Sequence, residues 1–181
     1  MANILPLDPS QASAEIAPIL DAVKAKMGRL PNLILTLAQS PASLKTYLAA
    51  SEAISGGLLD GRQREVIALA VGEANGCDYC VSAHSAIGKM VGLDEQTILH
   101  SRAGTPADPR QAALAAFSRA VVQERGHVSA LDHKAARAAG LSDGDLLEVV
   151  ANVAVNILTN YTNHVADTTI DFPKVASLIQ A

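Results

Sequence analysis

Apolar residues recur at three- and four-residue intervals along most of this chain, the period at which one face of an α-helix is buried. Ile16, Leu20, Val23 and Met27 predict a first helix over 11–27, with Pro18 in its early turns, where proline is tolerated, and Gly28 at its end. Leu33 to Leu37 form an apolar run between Pro31 and Pro41. Alone it could be a strand; in a helical chain it reads as a short helix. Ser40-Pro41 opens a helix carrying Leu44, Tyr47, Leu48 and Ile54 on one face, because proline suits the position after a capping serine. Asp60 caps a helix reaching about Ala74, with Val66, Ile67, Ala70 and Val71 inside, and Asn75-Gly76 breaks it. The next helix runs from about Cys77 to Val91; Gly92-Leu93-Asp94 ends it and caps a short helix to about Arg102. After a loop over 104–109, helices are expected to about Arg125, over 130–139 and over about 142–166, the last with Leu146, Val150, Val153, Ile157 and Tyr161 as its stripe. Asp171-Phe172-Pro173 turns the chain into a short tail. His84 precedes Gly92-Leu93-Asp94 much as His133 precedes Gly140-Leu141-Ser142, a hint of duplicated helical hairpins. The expected architecture is all-α: a compact single-domain helical bundle spanning 1–181, with about eight helices and short connections.

Composition fits this architecture. Hydrophobic residues make up 49% of the 181 positions and aromatics only 3%, so the core must be built from small aliphatic side chains, which suit closely packed helices. The formal charge of −4 is spread among interspersed acids and bases. No basic stripe argues for nucleic acid. The N-terminal residues lack the basic and apolar regions of a signal peptide, and no apolar run approaches the ~20 residues needed to span a membrane. Cytoplasm is the expected location. In that reducing compartment a Cys-x-x-Cys pair points to catalysis or metal binding more than to a structural staple.

The chemistry concentrates at Cys77-Asp78-Tyr79-Cys80-Val81-Ser82-Ala83-His84, which holds both cysteines of the chain. On a helix, Cys77, Cys80 and His84 share an arc of roughly 60°. The break at Asn75-Gly76 puts the thiols in the first turn, where unpaired N–H groups and the helix dipole favour a thiolate. His84, four residues after Cys80, can take the Cys80 proton and remain as an imidazolium beside the thiolate. Cys77 is in reach of Cys80 for a disulfide once Cys80 is oxidised to a sulfenic acid. Asp78 opposes thiolate formation unless it faces solvent. Glu65, on the preceding helix, is the best orienting partner for His84. Three other uses of these residues remain: two small buried cysteines, a solvated Glu65, or zinc held by Cys77, Cys80, His84 and either Glu65 or His164. Structural zinc sites usually bring a second ligand pair, and this chain has no second Cys-x-x-Cys. His100, His127 and His133 read as surface residues. Asn152, Asn156, Asn160, Asn163, His164 and Asp167 share one side of the last helix; a solvated face is the simpler account, a pocket lining or subunit interface the other.

Glu65, eleven residues, Cys77-x-x-Cys80, three residues and His84, followed by Ser85-Ala86-x-Gly88 and Gly92-Leu93, resemble the redox branch of the alkylhydroperoxidase D and carboxymuconolactone decarboxylase family over about residues 60–94. Asn160-Tyr161-Thr162-Asn163-His164 extends the likeness. The resemblance implies an all-helical fold assembled as a homo-oligomer, a trimer or hexamer. It implies Cys80 as the peroxidatic thiol, Cys77 as the resolving thiol, and His84 with Glu65 as the proton relay. The implied activity is a thiol peroxidase or disulfide oxidoreductase in antioxidant defence. Its substrate would be a small hydroperoxide, its partner a thiol or dithiol electron-donor protein, and it would need no metal or flavin cofactor. In one respect the chain departs from the family: the best-known peroxidases carry a histidine just before the second cysteine, and here that residue is Tyr79, whose ordinary pKa near 10 rules out a neutral-pH base. Two alternatives stand beside this expectation: a non-enzymatic redox sensor or scaffold, and a decarboxylase-like lyase with His84 as base.

Overall fold

A computed structural model describes residues 2–178, and every regular element among them is helical. A 3₁₀ turn at Pro9–Gln11 precedes α1 (Ala17–Met27), α2 (Asn32–Leu37), α3 (Pro41–Ser55), α4 (Gly61–Ala74), α5 (Asp78–Met90), α6 (Glu95–Ala103), α7 (Pro109–Gln123), α8 (Ala130–Ala138) and α9 (Asp143–Ala166). The described residues thus carry nine α-helices, one for each apolar segment read as helical, against a round expectation of about eight. The boundaries follow local chemistry. Ser40, Asp60, Asp94, Asp108, Ser129 and Ser142 each cap a helix through a side-chain oxygen that accepts a backbone N–H three residues on. The first helix is shorter than its apolar pattern predicts. Pro18 lies in the opening turn of α1 and cannot stand deeper in a helix, so Gln11 ends the 3₁₀ turn and residues 14–16 form a turn before α1 begins.

α4 is the centre of the molecule. Val66 to Glu73 are all buried, as expected of a helix enclosed on every side. Val66, Ile67 and Leu69 join Leu114, Phe117, Leu146 and Val149 in the main core. A second cluster of Ile16, Leu20, Ile34, Leu37 and Leu44 binds α1 and α2 to α3. Glu148 of α9 accepts the N–H groups of Leu58 (2.7 Å) and Leu59 (3.1 Å), tying the α3–α4 connection to the last helix.

The paired Gly-Leu sequences mark a shared corner between helices. Leu93 and Leu141 are buried, and their N–H groups return to the carbonyls of Gly88 (2.9 Å) and Ala136 (3.1 Å) before the next helix is capped. This is ordinary helix-ending geometry, common to both corners. His133 is not the surface residue expected: it is half-buried, with its ring edge-on to Phe117 at 5.3 Å. Large apolar side chains stay exposed at Leu58, Met90, Leu131, Leu147 and Val165. No described helix is long and apolar enough to cross a membrane.

Candidate active site

The site is built where α4 turns into α5. Gly76 adopts φ +66°, a left-handed conformation that favours glycine, and lets the chain reverse sharply. Gly72 allows the two helices to close: a Cβ there would lie 3.3 Å from Val81 and 3.5 Å from the Cβ of Cys80. Cys77 is the N-cap rather than a residue of the helix, with φ −89° and ψ 89°. Its N–H donates to Gly72 O at 2.9 Å, and its sulfur accepts the N–H of Cys80 at 3.3 Å. The two cysteines form a disulfide and are almost fully buried, at 1% and 2% exposure.

Because α4 and α5 run back to back from that turn, Glu65 meets His84. Glu65 Oε2 lies 2.8 Å from His84 Nδ1. Burial works against a charged imidazole here, but the Glu65 carboxylate outweighs it and raises the His84 pKa. A group whose pKa is raised by folding stabilises the protein below its unfolded value, ~6.5 for histidine, and loses that contribution as pH rises through the folded value. Denaturation midpoints should therefore fall as pH climbs above ~6.5, and the fall should vanish in His84→Gln. An identical pH profile in that variant would contradict the coupling.

Cys80, His84 and Glu65 line one cavity of about 210 Å³, with Leu33, Ala83 and Ile87 among its apolar walls. An adjoining space of about 300 Å³ shares His84 and Ile87 with it and is walled by Val23, Met27 and Phe172. Cys77 is absent from both and instead lines a polar cavity on the other side of the disulfide, together with His164. The four-ligand set with His164 is therefore not assembled around one point. Among the described residues no group of three or more His, Cys, Asp or Glu is placed to hold a metal ion.

The asparagines of α9 are not solvated. Asn152, Asn156, Asn160 and Asn163 are buried, and only His164 and Asp167 of that side are exposed. Asn160 accepts from the Asn75 amide at 2.8 Å, steadying the turn before Cys77. The Asn163 amide nitrogen lies 3.2 Å from the Cys80 sulfur and 3.9 Å from the Cys77 sulfur, so Asn163 belongs to the site. Its signal in the sequence was its place in the polar stripe of the last helix.

Tyr79 has a structural occupation. Its hydroxyl donates to Asp171 at 2.8 Å and accepts the Leu33 N–H at 3.1 Å. Its ring meets Phe172 edge-on at 5.8 Å, and Arg29 lies 4.6 Å over Phe172 while pairing with Asp171. Burial pushes the Tyr79 hydroxyl far up, and Asp171 pushes it further, so it stays protonated. Tyr79→Phe should lower stability by about 1–3 kcal/mol, since it removes two part-buried hydrogen bonds. Urea melts read this directly; an unshifted midpoint would mean that the tail is held elsewhere.

Fold and site together define a helical protein with a buried, redox-capable cysteine pair beside a carboxylate–imidazole pair. Residues 41–119 match the model of the carboxymuconolactone decarboxylase family. A solved structure from Ralstonia eutropha JMP134, described as an alkylhydroperoxidase AhpD core and uncharacterized peroxidase-related protein, is 26% identical, with 94% of this chain and 92% of that one covered and a TM-score of 0.85. An uncharacterized peroxidase-related protein from Silicibacter sp. TM1040 is 21% identical, with 92% of each chain covered and a TM-score of 0.80. The debrominase Bmp8, solved with 2,3,4-tribromopyrrole, is 21% identical, with 93% and 91% covered and a TM-score of 0.79. No curated protein matches the chain. Over residues 41–119 the chain is thus similar to the carboxymuconolactone decarboxylase family, and over nearly its whole length it shares the fold of the alkylhydroperoxidase AhpD core.

Proposed function

We propose that this protein is a thiol-dependent peroxidase that reduces small organic hydroperoxides. The observation that carries the proposal is the sharing of one cavity by the Cys80, His84 and Glu65 side chains, with Leu33, Ile54, Ala83 and Ile87 among its walls. Cys80, rather than Cys77, is the thiol on that cavity, so Cys80 takes the peroxide. In the reduced protein the Cys80 proton passes to His84, whose positive charge is held by Glu65. The thiolate attacks the distal peroxide oxygen, the O–O bond breaks, and Cys80 becomes a sulfenic acid. The leaving alkoxide takes the proton from His84 and departs as an alcohol. The Cys77 thiol then displaces water and closes the disulfide. The pair has lost two electrons and the peroxide has gained them. A thiol or dithiol donor returns the electrons. The cytoplasm keeps such donors reduced.

The apolar walls next to the cavity suit the organic part of a hydroperoxide. Exposed Leu147 and Val150, one turn apart on α9, are candidates for the covered face of a trimer or hexamer. His84→Ala and Glu65→Gln should slow peroxide reduction by about 10²-fold and shift the pH dependence of Cys80 alkylation upward. An unchanged alkylation curve would remove the relay. Thiolates also attack halogens, and a fold neighbour is a debrominase, so the assay should offer a bromopyrrole beside the hydroperoxide. Turnover of the bromopyrrole alone would replace peroxide reduction with reductive debromination.

A further inference from the structure

The disulfide divides two cavities, and its second side has the makings of a binding site. The cavity on the Cys77 side measures about 550 Å³, a size that holds a small ligand. Its floor includes Cys77, Asn163 and Thr168. Asn163 Oδ1 and Thr168 Oγ1 are buried with no hydrogen-bond partner among the described residues, although both side chains are more than nine-tenths buried. Such orphaned groups are rare in folded proteins and point to a missing partner. An amide oxygen can only accept, so that partner must bring an N–H or O–H donor. The rim carries both signs of charge, with Asp78 and Asp167 against Lys174.

From this arrangement we infer that the Cys77 cavity binds the electron donor, and that the donor is a small thiol carrying both an ammonium and a carboxylate, an amino-acid or short-peptide thiol. The inference rests on the redox use of the cysteine pair proposed above. Cys77 is almost wholly buried, which favours a compact molecule over the cysteine of a folded protein. The donor thiolate attacks the Cys77 sulfur, the S–S bond breaks, and Cys80 leaves as a thiolate. A stabilised thiolate leaves faster, and Cys80 has the Asn163 amide at 3.2 Å, the first turn of α5 and the paired His84 to receive its charge. A second donor thiolate attacks the donor sulfur of the mixed disulfide and frees Cys77. Two donor thiols become one donor disulfide, and the protein gains two electrons. Peroxide and donor then approach from opposite sides without competing.

The test uses the full chain oxidised to its disulfide, so it needs no peroxide. L-cysteine and 2-mercaptoethanol are compared per thiolate, with acid quenching, alkylation and intact-mass readout. L-cysteine should react at least about tenfold faster, a gain within reach of charge complementarity. Lys174→Glu and Asp167→Asn should each erase most of that preference, while the reduced variants still consume hydroperoxide at the wild-type rate. The trapped mixed disulfide should map to Cys77. Equal rates for the two thiols, a preference that survives both substitutions, faster reduction by a dithiol protein than by L-cysteine, or a mixed disulfide on Cys80 would each overturn the inference. A cysteine preference without hydroperoxide consumption would instead remove the peroxidase proposal and leave this site standing.

Discussion

Replacing Cys80 with serine is expected to abolish hydroperoxide turnover, lowering kcat by roughly a thousandfold or more, as loss of a nucleophile does elsewhere. A serine hydroxyl is not ionised at neutral pH and cannot accept the peroxide oxygen as sulfur does. Cys80 is also the thiol that shares a cavity with His84 and Glu65. Cys77→Ser should behave differently: its Cys80 should still consume one equivalent of peroxide and stop at the sulfenic acid, which a sulfenic-acid-selective reagent would trap. Full turnover in Cys80→Ser, or trapping on Cys77 in that variant, would exchange or remove the assigned roles.

Arg102→Ala should be the most damaging substitution for stability, at about 3–5 kcal/mol, because it leaves a buried carboxylate without its counter-charge. Glu73 is 2% exposed and accepts from Arg102 Nε at 2.8 Å, the Leu178 N–H at 2.6 Å and the Ser177 hydroxyl at 3.1 Å. Arg102 also donates to the carbonyl of Ala176. The pair therefore anchors the tail that passes over α5, where Val175 N–H meets Ser82 Oγ at 3.3 Å. Burial would raise the Glu73 pKa, yet Arg102 and the tail amide bring it below the ordinary value. A carboxylate lowered on folding adds stability above its unfolded pKa, ~4.3 for Glu, and that contribution is lost as pH falls through the folded value. Glu73→Leu combined with Arg102→Met should recover most of the loss, since neither charge is then stranded. A denaturant midpoint for Arg102→Ala near that of the wild type would show that the pair does not anchor the tail.

The parts of the molecule that local chemistry determines were legible in the sequence. Ser40, Asp60, Asp94 and Ser142 announced helix starts because a capping oxygen acts within three residues. Glu65 stood out as a candidate partner for His84 or Cys80, but its meeting with His84 is a tertiary contact that only the packing of α5 against α4 supplies. What depended on distant packing was not legible. The asparagines of α9 have the same periodicity whether they face water or the cysteine helix, and only the tertiary fold turns Asn163 toward Cys80. His133 looked like a surface residue until Phe117 of α7 was brought beside it. The role of Tyr79 depends on Asp171, 92 residues away, and no local pattern links the two. Pro18 carried a readable warning about where α1 starts, but the apolar pattern upstream obscured it.

A thiol count tests the proposed redox cycle most directly. The reduced protein, mixed rapidly with one equivalent of a small organic hydroperoxide, should lose two thiols per chain, forming the Cys77–Cys80 disulfide and one equivalent of alcohol, and Cys80→Ser should lose none to that disulfide. Two thiols that stay reduced in the wild-type protein, with the hydroperoxide intact, would contradict it.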